Sequence, residues 1–250
     1  MLCLQYGTPK GDNYTLEKLR IKSKFQGIND FRKMRSCIDL IEDTEEAIIN
    51  FFQYQLATRR DRINMGEIYL RLYGIVNAIY LQKQAIIEIM ELVKLSGKNT
   101  YQRQLEKLKI FEVRNIVGSH MVDFKTDKTE VYKTPLQTLN FFFVTQCDLK
   151  ADGTRLTIVD GHNNYEETNL KQLINEYVFE SEILMSKTVE KYVSTLCKND
   201  QKTKEEFISL IIAINRRRTN YLKFDKFQDY HKKKIKKLLS EIESLNLKVN

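Results

Sequence analysis

Apolar residues recur three and four apart along most of this chain, a spacing that predicts long amphipathic helices. After an N-cap signal at Asn29-Asp30, Met34, Ile38, Ile41, Ile48, Phe52 and Leu56 hold the helical period to about Thr58. The charged elbow Arg59-Arg60-Asp61-Arg62 leads into a second helix. Its stripe runs Met65, Ile68, Tyr69, Leu72, Val76, Ile79, Ile86, Met90 and Val93, and Ser96-Gly97 is expected to close it. A third helix starts at Thr100 and carries Leu105, Leu108, Phe111 and Ile116 on one face. Gly118 offers the left-handed position that commonly ends a helix, so the stop is expected there.

Residues 121–135 lose the period and gather charge before Pro135, which reads as a solvated loop. Leu139–Thr145 is bulky and Thr154–Val159 alternates, with Asp152-Gly153 as the turn between them, the pattern of a β-hairpin. Two strands alone are marginal in water, so this hairpin must lean on helices or on another chain. Gly161–Asn164 makes a further turn before a fourth helix from about Glu166 to Cys197. The last helical region starts near Thr203, which pairs with Glu206 in the manner of a capping box. With a mixed leader over residues 1–27, turns at Pro9, Gly11 and Asp12 and a short helix over Leu16–Phe25, the predicted fold is mainly α: an up-and-down bundle of about five long helices with one inserted β-hairpin at about 138–160. Residues 1–200 form the bundle, and 201–250 a C-terminal helical segment packed on the same domain.

Charge changes this picture at one end. Of a formal net charge of +8 in 250 residues, nearly all lies in residues 201–250, which hold 13 Lys/Arg against 6 Asp/Glu. Arg216, Arg217 and Arg218, then Lys232, Lys233 and Lys234, interleave with Tyr221, Phe224, Phe227 and Tyr230. Basic groups among stacking rings suit single-stranded RNA, although rings at helical spacing also serve as core. No run approaches 18 apolar residues, and the N-terminal stretch lacks the basic start and long apolar run of a signal peptide. A cytoplasmic protein with no membrane partner is expected. Cys3, Cys37, Cys147 and Cys197 are scattered, and His162 and His231 have no partners at metal spacing. Free thiols, no metal and no cofactor are therefore expected. Phosphate-cradling glycine loops and nucleophile elbows are missing as well.

The candidate chemistry lies at the end of the third helix, in Arg114-Asn115-Ile116-Val117-Gly118-Ser119-His120. Six residues of unbroken helix turn through about 600°, leaving Arg114 and His120 about 120° apart. They converge only if the helix stops, as Gly118 would allow, or if a second copy supplies the partner. A second Arg-to-His pair, Arg155 and His162, falls in the predicted hairpin and outside a helical context. Histidine can take or give a proton near neutrality, and arginine binds phosphate oxygens in a bidentate fork.

At these residues the chain resembles the HEPN superfamily, helical bundles whose signature is Arg, four to six residues, then His. Here five residues intervene, with a polar Asn115 directly after the Arg. The resemblance implies a metal-independent endoribonuclease whose two motifs face each other across a homodimer. In it His120 is the acid or base, Arg114 the phosphate clamp and Asn115 an orienting polar residue. The implied products carry a 2′,3′-cyclic phosphate and a 5′-hydroxyl. It further implies a toxin or antiviral defence effector acting on RNA, with an antitoxin or regulatory protein as partner. Many HEPN members are not catalytic, so the alternative is an interaction module that binds RNA, a nucleotide or a protein.

Overall fold

The computed structural model describes residues 28–57, 65–119, 142–145, 149–160 and 162–196 and, further on, residues 201, 204, 205, 208 and 209. The leader, the Arg59–Arg62 elbow, the 121–135 loop, the start of the first predicted strand and nearly all of the basic C-terminal segment lie outside these residues. Among the described residues the chain is mainly α, with five helices and a small antiparallel sheet between the fourth and fifth. The helices are α1 (Ile28–Tyr54), α2 (Met65–Leu92), α3 (Lys98–Glu106), α4 (Lys109–Ser119) and α5 (Leu170–Leu196). The strands are β1 (Phe142–Val144), β2 (Leu156–Asp160) and β3 (Tyr165–Thr168). Among the described residues no helix is long and apolar enough to cross a membrane.

The chain divides into two compact units. One comprises Met1–Arg35 and Ser186–Asn250, where Phe31 and Met34 on α1 and Val189, Tyr192 and Val193 on α5 are buried. The other, Ser36–Met185, contains α2, α3, α4 and the sheet, and its core is organised on α2. The apolar stripe of α2 is widened by Ala78 and Ala85, so that this helix is buried over much of its circumference, as befits a central element. It packs against α3 and α4. Its first turns meet the end of α1, where Arg71 is paired with Glu67 at 2.7 Å and donates to the Gln55 carbonyl at 3.3 Å. A cation there satisfies a carbonyl that the helix end leaves open.

Helix ends depart from the expected places. α1 stops at Tyr54, with Gln55 left-handed at φ 62°. α2 ends on Lys94, left-handed at φ 54°; the Leu95 N–H donates to Met90 and the Lys94 N–H to Glu91, each at 2.9 Å. That pair of bonds is the Schellman arrangement, here built without glycine. Gly97, expected to close α2, instead precedes α3, and its carbonyl accepts from Thr100 and Tyr101. The third predicted helix is two helices, interrupted at Lys107-Leu108 by a tight turn in which the Leu108 N–H donates to Leu105.

The inserted sheet has three antiparallel strands in the order β1-β2-β3, with Phe143 opposite Val159 and Ile158 opposite Glu166. The expected hairpin is β1-β2. The added strand, β3, occupies residues assigned by pattern to the start of the fourth helix. Its Tyr165, Glu166 and Glu167 are exposed, with Glu166 joined to Lys109 of α4 and Glu167 to Arg155. Helix α5 starts instead behind Asn169, whose side-chain oxygen accepts the Gln172 N–H at 3.0 Å. The hairpin leans on the end of α1. The Leu56 N–H donates to the Ala151 carbonyl at 2.7 Å, and Leu56 has no exposed surface. Gly153 turns at φ 70°, and a Cβ there would stand 2.9 Å from the Phe51 ring.

Candidate functional site

The stripe of α2 carries an anomaly between Ile79 and Ile86. The positions that should be apolar are Gln82 and Lys83, and both are buried, at 6% and 5% exposure. The Gln82 amide donates to the Ile41 carbonyl of α1 at 3.5 Å, a long contact. Lys83 lies one turn beyond Tyr80, so the two share a face. Across from them α4 presents Phe111 and, a turn later, Arg114 and Asn115.

Packing of α2 on α4 gathers these side chains. The Lys83 Nζ stands 4.9 Å from the centre of the Tyr80 ring and 4.5 Å from that of Phe111. The Arg114 guanidinium lies over the same Tyr80 ring at 4.2 Å. Arg114 also donates from Nη1 to the Asn115 Oδ1 at 3.2 Å, and both residues are half-buried. Phe111 meets the buried Tyr177 of α5 edge-on, ring centres 5.7 Å apart, which fixes its orientation. Burial holds the Lys83 ammonium below the ordinary lysine value. Glu106 and Tyr80 act against that shift, and the nearby Arg114 adds to it. Among the described residues neither Lys83 nor Arg114 has a carboxylate at ion-pair distance. Glu106 itself accepts from Gln102 at 2.9 Å.

Of the residues singled out by sequence, Arg114 and Asn115 are brought together. His120 lies outside the described residues, as do Arg216, Arg217, Arg218, Lys232, Lys233 and Lys234. One expectation is corrected. Gly118 is not a left-handed stop: α4 continues through it to Ser119, and the left-handed glycines among the described residues are Gly97 and Gly153. A Cβ added at Gly118 would meet no neighbouring side chain or other element within 4 Å, so neither turn nor close packing calls for glycine there. The Arg155–His162 pair is also resolved: Arg155 is bonded to Glu167 at 2.5 Å, and His162 is exposed in the β2–β3 turn. Lys83 and Tyr80 were not identified from sequence. The signal for Lys83 was the polar pair interrupting an otherwise apolar stripe.

Among the described residues no three His, Cys, Asp or Glu side chains gather as metal ligands, and Cys37 is buried and in no disulfide. Comparison of the chain with protein-family models, curated proteins and solved structures found no match.

Proposed function

We propose that this chain is a metal-independent endoribonuclease that acts as a homodimer in the cytoplasm, in the role of a toxin or defence effector. The observation that carries the reading is the seating of Arg114. A guanidinium laid on the Tyr80 ring and tied to Asn115 is half-buried and held in one orientation, with no carboxylate paired to it among the described residues. Such a cation is prepared to receive phosphate oxygens. In the reaction the 2′-oxygen attacks phosphorus, a base takes its proton, the bond to the 5′-oxygen breaks, and an acid protonates the departing oxygen. His120 supplies the proton transfers, and Arg114 stabilises the charge that builds at phosphorus. One histidine cannot be base and acid in the same step, so the reading requires two copies of the chain, each contributing its His120. Gly118 lies within α4, which ends at Ser119, so the symmetric arrangement does not depend on a left-handed stop at that glycine. Arg216–Arg218 and Lys232–Lys234 draw the RNA in, which makes binding salt-sensitive.

The gathering of Lys83 and Arg114 on one ring also favours a second reading. A cation cluster on α2 and α4 that binds RNA, a nucleotide or an acidic protein without cutting anything needs no convergence of Arg114 with His120. Incubating RNA with the purified protein in excess chelator, beside Arg114→Ala and His120→Ala, separates the two. The nuclease reading expects cleavage that falls by about 100-fold or more in each variant. Intact RNA that remains bound to the wild-type protein would support the module.

A further inference from the structure

We infer that Lys83, Arg114 and Asn115 together form one oxyanion site, whose occupant is a phosphate group and whose buried second cation is Lys83. The inference rests on the reading of Arg114 as a phosphate-holding residue and adds groups from another helix.

Two like charges share one ring. Tyr80 receives the Lys83 ammonium and the Arg114 guanidinium, at 4.9 and 4.2 Å from its centre. Ring faces attract cations, but they do not replace a full counter-charge for an ammonium on a side chain buried to this extent. The negative group nearest in effect, Glu106, makes no ion pair with either cation. An ordinary core lysine would carry a carboxylate partner or would be a hydrophobe, since α2 needs only apolar volume at this position. With no carboxylate at ion-pair distance among the described residues, the two cations are balanced in this inference by an anion from outside. The donor set specifies which kind. Asn115 has its oxygen engaged by Arg114, which leaves its amide N–H groups to donate. Ammonium, guanidinium fork and amide offer donors in several directions, which suits a tetrahedral oxyanion with three or more acceptor oxygens. A phosphate monoester, an RNA phosphodiester and inorganic phosphate share that chemistry.

The test is calorimetric titration of the full-length protein with inorganic phosphate at constant ionic strength, without RNA. Wild type should bind saturably, and Lys83→Met should raise the Kd tenfold or more. Arg114→Gln, on a half-exposed position, should do the same and serves if Lys83→Met fails to fold. Lys98→Met, at a lysine paired with Glu91 away from the cluster, should leave the Kd unchanged. Repeating the titration with a 5′-nucleotide and a short RNA distinguishes the sources: a lower Kd than for phosphate identifies which the site was built for. No saturable phosphate binding by wild type, or equal binding by wild type, Lys83→Met and Arg114→Gln, would overturn the inference. The nuclease reading can fail separately. Phosphate binding that depends on Lys83, in a protein that leaves RNA intact, removes the enzyme and keeps the site. RNA cleavage with Lys83→Met unchanged in KM and in phosphate binding does the reverse.

Discussion

The guanidinium of Arg114 rests on the face of Tyr80, 4.2 Å from the ring centre, and this contact joins α4 to α2 at the point where Lys83 is buried. It makes Tyr80 the floor of the candidate site. Tyr80→Leu should destabilise the protein by about 1–2 kcal/mol, the magnitude of partly desolvated cation–ring contacts. It should also weaken RNA binding, whereas Tyr80→Phe should stay within about 0.5 kcal/mol of wild type, because the ring face and not the hydroxyl makes the contact. Urea unfolding of the two variants measures the difference.

Two glycines should respond to alanine in opposite directions. Gly118 lies inside α4 with open space around it, so Gly118→Ala should stabilise by a few tenths to about 1 kcal/mol. Gly153 is left-handed, and a Cβ there meets Phe51 at 2.9 Å, so Gly153→Ala should cost about 1–3 kcal/mol. Thermal unfolding decides both. A destabilised Gly118→Ala would restore the helix stop expected from sequence.

Lys83 should leave a mark at alkaline pH. Its folded-state value is held below the ordinary 10.5, first by burial and then by Arg114, against Glu106 and Tyr80. Between that lowered value and 10.5 the unfolded chain binds more protons at Lys83 than the folded one, so this group's contribution to stability rises with pH across the window. Lys83→Met has no such group. The stability of wild type relative to Lys83→Met should therefore increase as pH approaches 10.5, and a constant difference would contradict the burial of a charged ammonium.

Acid should reveal the two turn aspartates. Asp152 is depressed below 3.8 chiefly by the Thr154 hydroxyl and N–H, and Asp160 chiefly by the side-chain amide and backbone N–H of Asn164. Groups whose folded value is lowered contribute stability above the unfolded value and lose it as pH falls through the folded one. Asp152→Ala and Asp160→Ala should each be less stable than wild type near neutrality. The gap should narrow below about pH 3.8.

The parts of this fold legible in the sequence are those where burial imposes a period. The stripes of α1 and α2 show plainly because each helix has a broad buried face, and the Phe-rich stretch with Asp152-Gly153 marks the first hairpin. β3 was hidden because an exposed edge strand needs no apolar residue, and Glu166-Glu167 is as acceptable in a first helical turn as in a strand. Lys94 was hidden for a related reason: a Schellman ending is made by backbone bonds, and glycine there is a preference worth about 1 kcal/mol, not a requirement. Arg114 and Asn115 could be found because they are adjacent in the chain. Tyr80 and Lys83 reach them only through the packing of α2 on α4, a tertiary relation that no local spacing encodes. Gln82-Lys83 in the apolar stripe was a visible exception whose meaning depended on that packing.

The central claim, cleavage of RNA through attack by its own 2′-oxygen, is tested most directly by the ends of the products formed in excess chelator. A 2′,3′-cyclic phosphate and a 5′-hydroxyl, with no cutting of a 2′-O-methyl strand of the same sequence, is the expected result. Ends bearing a 3′-hydroxyl and a 5′-phosphate, or RNA recovered whole, would contradict it.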